Sequence, residues 1–159
     1  MNVLWLTASI FCLDQISKYA IKHFMDLYES IPVISDFFYL TFVLNPGIAF
    51  GLNIPGGFVI FKILHLLMTV GLIWYMWHER KSHILLRISL AMILAGALGN
   101  LADRLLYGEV VDFLHFMLGG YEWYIFNVAD SAVTIGMAIF IYFTFIIEKK
   151  IKQDPIPTS

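Results

Sequence analysis

Charge is scarce in this chain of 159 residues. Asp, Glu, Lys and Arg make up 14% of it, where an ordinary globular domain carries about 25%. Neither sign dominates: the formal net charge is −2, which excludes the basic footprint of a nucleic-acid binder. Cysteine occurs once, as Cys12, so neither an intrachain disulfide nor a cysteine-based metal site can form. The chain is instead 60% hydrophobic, with a mean hydropathy of +0.78. A chain this short cannot enclose so much apolar surface in a water-soluble core. A soluble enzyme, a disordered tail and a disulfide scaffold are excluded, and an integral membrane protein remains.

Several catalytic signatures are also missing. There is no Gly-x-Ser-x-Gly elbow, phosphate loop or dinucleotide motif. Ser17 and Lys18 are adjacent and would point about 100° apart on a helix. His78-Glu79-Arg80-Lys81-Ser82-His83 has one residue too many for a zinc-protease motif and reads as a solvated loop. His23, His65 and His115 form no ligand pattern and are assigned to packing or the interface. Cys12 follows the bulky Phe11, which disfavours an acylation site and predicts a packed apolar thiol.

A bilayer crossing needs about 20 mostly apolar residues, and four stretches qualify: about 3–25, 58–77, 84–101 and 125–147. The first lacks the basic start and the cleavage site of a removable signal peptide. Segments two and three are joined by six residues, whereas Asp26–Gly57 and Asp103–Tyr124 are long connections. Arg80, Lys81, Arg87, Lys149, Lys150 and Lys152 lie on the side of the short connection and the termini, which the positive-inside rule makes cytoplasmic. The long connections then face outward. Phe37–Leu44, rich in aromatic and β-branched residues and closed by Asn45-Pro46-Gly47, reads as a strand. Tyr121–Phe126 after Gly119-Gly120 reads similarly. The predicted fold is a membrane all-α bundle of four transmembrane helices with a small β-containing platform at the outer face. Residues 1–152 form one membrane-embedded domain, and 153–159 a disordered tail.

Polar residues inside such segments need a reason, because a charge at the bilayer centre costs about 2.5–3.5 kcal/mol on insertion scales. Asp14 and Lys18 lie four apart and can pair on one helix face. Lys62 and Arg87 sit near helix ends, where they can snorkel. Asn100 and Arg104 share a face if the third helix continues that far. Asn127 and Asp130 open the fourth helix, about 4.5 Å apart along its axis. Outward connections put Asp112 and Asp130 at one membrane level. Two close carboxylates can share a proton, one activating water while the other polarises a carbonyl. Spacing alone is only suggestive, and on it two separate surface or capping aspartates are the favoured reading.

Five motifs in order carry a resemblance: Asp14-Gln15-Ile16-Ser17-Lys18; Asn45-Pro46-Gly47-Ile48-Ala49-Phe50-Gly51; Gly96-Ala97-Leu98-Gly99-Asn100 with Asp103-Arg104; Gly108–Phe113; and Phe126-Asn127-Val128-Ala129-Asp130. Together they resemble bacterial lipoprotein signal peptidase, or signal peptidase II. Ser17 stands where that family usually has threonine. The resemblance implies an intramembrane aspartic endopeptidase near the outer face of the cytoplasmic membrane, with Asp112 and Asp130 as the catalytic pair. It implies that Asp14, Lys18, Asn45, Gly47, Asn100, Asp103, Arg104 and Asn127 bind substrate or support the site. The implied substrate is a prolipoprotein whose cysteine already carries diacylglycerol, cut just before that cysteine. Membrane lipids are the other partner, a monomer is expected, and neither metal nor organic cofactor is required. A small proton-coupled transporter is the alternative for intramembrane carboxylates, although such proteins use midplane sites and repeat symmetry.

Overall fold

The computed structural model describes residues 3–47 and 57–153. The elements run α1 (Leu4–Phe24), β1 (Ser30–Ile34), β2 (Phe38–Asn45), α2 (Gly57–His78), α3 (Ile84–Leu106), β3 (Val110–Leu118), β4 (Tyr121–Glu122) and α4 (Val128–Tyr142). A π-helical turn, Phe143–Ile147, then leads into α5 (Glu148–Gln153). Ile48-Ala49-Phe50-Gly51 and the tail beyond residue 153 lie outside the described residues.

α3 is the central helix, in contact with α1, α2 and α4. Close approach is allowed by glycine on the facing surfaces. A Cβ on Gly96 would lie 2.2 Å from the Ala129 carbonyl oxygen, and one on Gly136 would lie 2.9 Å from that of Ser89. Ala91, Ala95 and Ala129 are wholly buried alongside. Small residues at helix contacts are what apolar surroundings favour, since packing there takes over from the hydrophobic effect. Large apolar residues instead face outward: Trp5, Leu13 and Ile16 on α1, Leu67 and Trp74 on α2, Ile141 on α4. Ile84–Leu106 and Val128–Ile151 are long and apolar enough to cross a membrane.

Several boundaries and the setting of Cys12 differ from the sequence expectations. α3 runs to Leu106 rather than 101, because the Asp103 side chain finds partners on α1 and its carbonyl caps the Tyr107 amide at 2.8 Å. Gly108, at φ +90°, then turns the chain into β3 in a conformation that only glycine adopts readily. α4 starts at Val128 rather than 125, since Phe126 remains extended and pairs with Leu114. Of the expected strand 121–126, only Tyr121–Glu122 is ladder-paired. The strand expected at 37–44 is observed at Phe38–Asn45. Cys12 is exposed rather than packed: the inward residues of α1 are Thr7, Asp14, Lys18 and Ile21, and their helical spacing turns Cys12 outward.

The long connections build one antiparallel sheet in the order β1-β2-β3-β4. Asn45 pairs with Val110 and Val43 with Asp112, with a register irregularity between Leu40 and Val43. Residues two apart on a strand share a face, so Asn45 and Asp112 are diagonal neighbours on the same side. Beneath the sheet, Phe42, Val111 and Phe113 cluster with Ile21 and Met25 from the end of α1. That apolar joint sets the height of the sheet over the helices.

Candidate active site

The site is layered. Its lower layer is a buried cluster between α1 and α3. The Lys18 ammonium lies 2.8 Å from Asp14 Oδ2 and 2.9 Å from Asp103 Oδ2, and donates to Asn100 Oδ1 at 3.1 Å. Three donors meet three acceptors, so a lysine only 2% exposed leaves no unsatisfied proton. The Gln15 amide reaches Asp14, Asp103 and the Gly99 carbonyl. A Cβ on Gly99 would sit 2.6 Å from Asp14 Oδ2, so the carboxylate occupies the space this glycine leaves. Asp14 Oδ1 accepts from the Ala129 amide at 2.8 Å. An anionic group from one helix thereby caps the N-terminus of another, where the helix dipole favours it.

The upper layer is joined to the lower through asparagines. Asn127 caps α4, its Oδ1 accepting from the Asp130 amide at 2.9 Å. Its Nδ2 donates to Asp112 Oδ1 at 2.6 Å and lies 3.1 Å from Asn100 Oδ1. Asn100 Nδ2 donates to Asp130 Oδ1 at 2.7 Å. Two amides thus bridge Asp112 on β3 and Asp130 on α4. On the other side, Asn45 Nδ2 donates to Asp112 Oδ2 at 2.9 Å, while Asn45 Oδ1 accepts from the Gly47 amide. Gly47, at φ +79°, completes this turn as residues with side chains rarely do. Burial pushes the Asp112 carboxyl up to about 6, and the nearby Asp130 charge adds to the rise against the opposing hydrogen bonds of Asn45 and Asn127 and the Lys18 charge.

Arg104 borders this layer. A Cβ on Gly47 would lie 3.3 Å from its Nε, and its Nη1 is 3.1 Å from His65 Nδ1. Asp130 borders two hollows. One, of about 600 Å³, runs between α2, α3 and α4 past His65, Thr69, Ala97 and Val133. The other, of about 420 Å³, is walled by Trp123, Tyr124, Phe126 and Ile135. A carboxylate opening onto apolar hollows, beside one raised to about 6, can exchange a proton with a reactant that enters from either.

Every candidate site residue named from the sequence lies in one of these layers. Two further residues belong with them. Gln15 was legible only as a member of the first motif, without a role, and its links appear once α1 meets α3. His65, assigned to packing or the interface, instead faces Arg104, because α2 turns that side toward α3. Among the described residues no His, Cys, Asp or Glu group has a metal-holding arrangement.

Known proteins resemble this chain over most of its length. The signal peptidase (SPase) II family model matches residues 6–146. The lipoprotein signal peptidase of Desulforapulum autotrophicum is 47% identical over 84% of this chain and 85% of its own. That of Bacillus pumilus is 38% identical over 90% and 92%. Two bacterial membrane enzymes solved by the in meso method superpose with TM-scores of 0.81 and 0.82, at 29% and 32% identity. The first covers 99% of this chain and 94% of its own, the second 91% and 92%. With a family model spanning most of its length and relatives this similar, the chain belongs to the signal peptidase II family.

Proposed function

We propose that this protein is an aspartic endopeptidase that removes signal peptides from prolipoproteins, cutting just before a cysteine that already carries diacylglycerol. The observation that carries the reading is the Asn127–Asn100 bridge between Asp112 and Asp130, in a chain of this family. Asp112, whose carboxyl is raised to about 6, is the member that carries the proton and donates it to the scissile carbonyl oxygen. Asp130, beside the hollows, takes a proton from water as that water attacks the carbonyl carbon. The tetrahedral intermediate collapses as Asp130 passes its proton to the amide nitrogen, a hydroxyl of the intermediate returns a proton to Asp112, and the carbon–nitrogen bond breaks. Water and two carboxylates supply every atom of this hydrolysis. Arg104 directs the substrate carbonyl toward the pair, and the Asn45–Gly47 turn borders the bound backbone. Lys18, Asp14 and Asp103 hold the amides in place.

Residues 1–152 act as one unit, with four crossings, both termini cytoplasmic and the site near the outer face of the inner membrane. The apolar exterior of the helices suits lipid, and the hollow between α2 and α4 suits lateral entry of a lipidated peptide. The chain acts as a monomer. The transporter alternative draws no support from the relatives above.

The test is cleavage of a diacylglyceryl-modified lipopeptide in detergent, without any gradient. Asp112→Asn and Asp130→Asn, singly or together, should each abolish nearly all turnover, because the pair acts as a unit. The exposed Asp36→Asn should be nearly silent. Cleavage at the wild-type rate by either folded site variant would sink the mechanism.

A further inference from the structure

His65 stands on α2, outside every motif described above, yet its ring touches α3 twice. Nε2 lies 3.0 Å from the Ala97 carbonyl oxygen and Nδ1 lies 3.1 Å from Arg104 Nη1. A backbone carbonyl has no proton to give, and a guanidinium has no lone pair to offer. The ring is thereby committed: Nε2 carries the proton and donates to Ala97, while Nδ1 is bare and accepts from Arg104. Only the neutral imidazole, in that tautomer, makes both contacts.

Among the described residues Arg104 has no closer side-chain partner than His65, though the charges of Asp130, Asp112 and Asp103 act on it. Its Nη1 is 3.4 Å from the Asn100 carbonyl on its own helix, and among the described residues it forms no ion pair with a carboxylate. We infer that His65 is the positioning residue for Arg104, aiming the guanidinium over the Asp112–Asp130 pair through an uncharged acceptor. A carboxylate in that place would hold Arg104 more strongly. It would also cancel much of the charge that is to act on the substrate. The imidazole fixes direction and supplies no countercharge. Because His65 also lines the larger hollow beside Asp130, the α2 wall of that hollow and the aim of Arg104 are set together. This inference rests on Arg104 orienting the substrate in the peptidase reaction.

Three variants separate the two contacts by reach. His65→Gln places an amide near the Nε2 position and removes the acceptor facing Arg104. His65→Asn keeps an acceptor near Nδ1 and drops the Ala97 contact, and His65→Phe drops both. With the lipopeptide in detergent, His65→Gln and His65→Phe should lower kcat about tenfold with KM little changed, and His65→Asn should recover to within about threefold of wild type. In an Arg104→Gln background, measured by single turnover, His65→Gln should add no further loss, as coupled residues require. Nitrogen-15 spectra of the wild-type protein, assigned by the signal lost in His65→Asn, should show a bare Nδ1. A protonated Nδ1, equal losses in both backgrounds, or a His65→Asn loss matching that of His65→Gln would overturn the inference. If His65→Gln fails to fold, the His65→Asn and His65→Phe rates and the wild-type spectrum decide it. Wild-type cleavage by Asp130→Asn would instead overturn the peptidase reading, with the tautomer still readable.

Discussion

Lys18 is the residue on which the polar interior turns. It faces two buried carboxylates and an amide oxygen, and its removal would leave Asp14 and Asp103 as uncompensated like charges. Breaking a buried pair in this way costs about 3–5 kcal/mol, so Lys18→Met should melt far below wild type in detergent. Asp14→Asn should cost less, because Lys18 retains Asp103 and an amide oxygen can still accept from Ala129. A smaller loss for Lys18→Met than for Asp14→Asn would show the cluster to be wrongly described. At Asp112 the effect depends on pH. Burial lifts its carboxyl from the ordinary 3.8 to about 6, so between these values the folded chain binds more protons than the unfolded one. Its contribution to stability is full below about 3.8 and lost as pH rises through about 6. The same ionisation removes the proton the pair needs, so kcat/KM should decline on the alkaline side of that window. Asp112→Asn should flatten the slope of melting temperature against pH there, and an unchanged slope would assign the titration elsewhere.

The element that matters most is α4, whose first turn carries Asp130 and is capped from two directions, by Asn127 and by Asp14. Its distance from α3 is set by Gly96, where a Cβ would strike the Ala129 carbonyl at 2.2 Å. Backbone cannot yield as a flexible side chain can, so Gly96→Ala must push α4 away. Overpacking of this kind costs about 1–3 kcal/mol, and here it also shifts Asp130 from Asn100. Gly96→Ala should therefore lose activity out of proportion to its fall in melting temperature, whereas Gly71→Ala, with no atom within 4 Å of the new Cβ, should lose neither. The small residues of Gly96–Asn100 were legible as a close-packing signal, but their partner was not. β3 was not legible at all. Val110 to Phe113 are buried in succession, so the strand lacks the alternation by which a half-exposed strand is recognised.

Across the whole molecule the polar pattern is inverted. Asp14, Lys18, Asp103 and Asn127 are buried while Trp5, Trp74 and Phe145 face outward, an arrangement that water would oppose and lipid would favour. The proposed orientation follows from the basic residues around Ser82 and at the C-terminal end. In a Cys12→Ser background, cysteines at Glu29 and Glu122 should react with an impermeant thiol reagent in intact cells, while one at Ser82 should not. The reverse pattern would invert the topology and move the site to the other face.

Composition by itself determined that the chain seeks an apolar solvent, because so short a polymer with so little charge has no way to bury its surface. Apolar run length determined the four helical segments to within a few residues, since a backbone in apolar surroundings must satisfy its hydrogen bonds locally. The ordered motifs determined the family, and with it the residues to look for. Tertiary structure alone decided which side chains meet. The register of β2 against β3 puts Asn45 beside Asp112, and the crossing of α3 and α4 at Gly96 brings Asn100 to Asp130. It also decided that α3 continues past Leu101, because Asp103 is stabilised by a lysine 85 residues earlier in the chain. Contacts between residues distant in sequence leave no local pattern, so Gln15 and His65 gained their partners only when the helices packed.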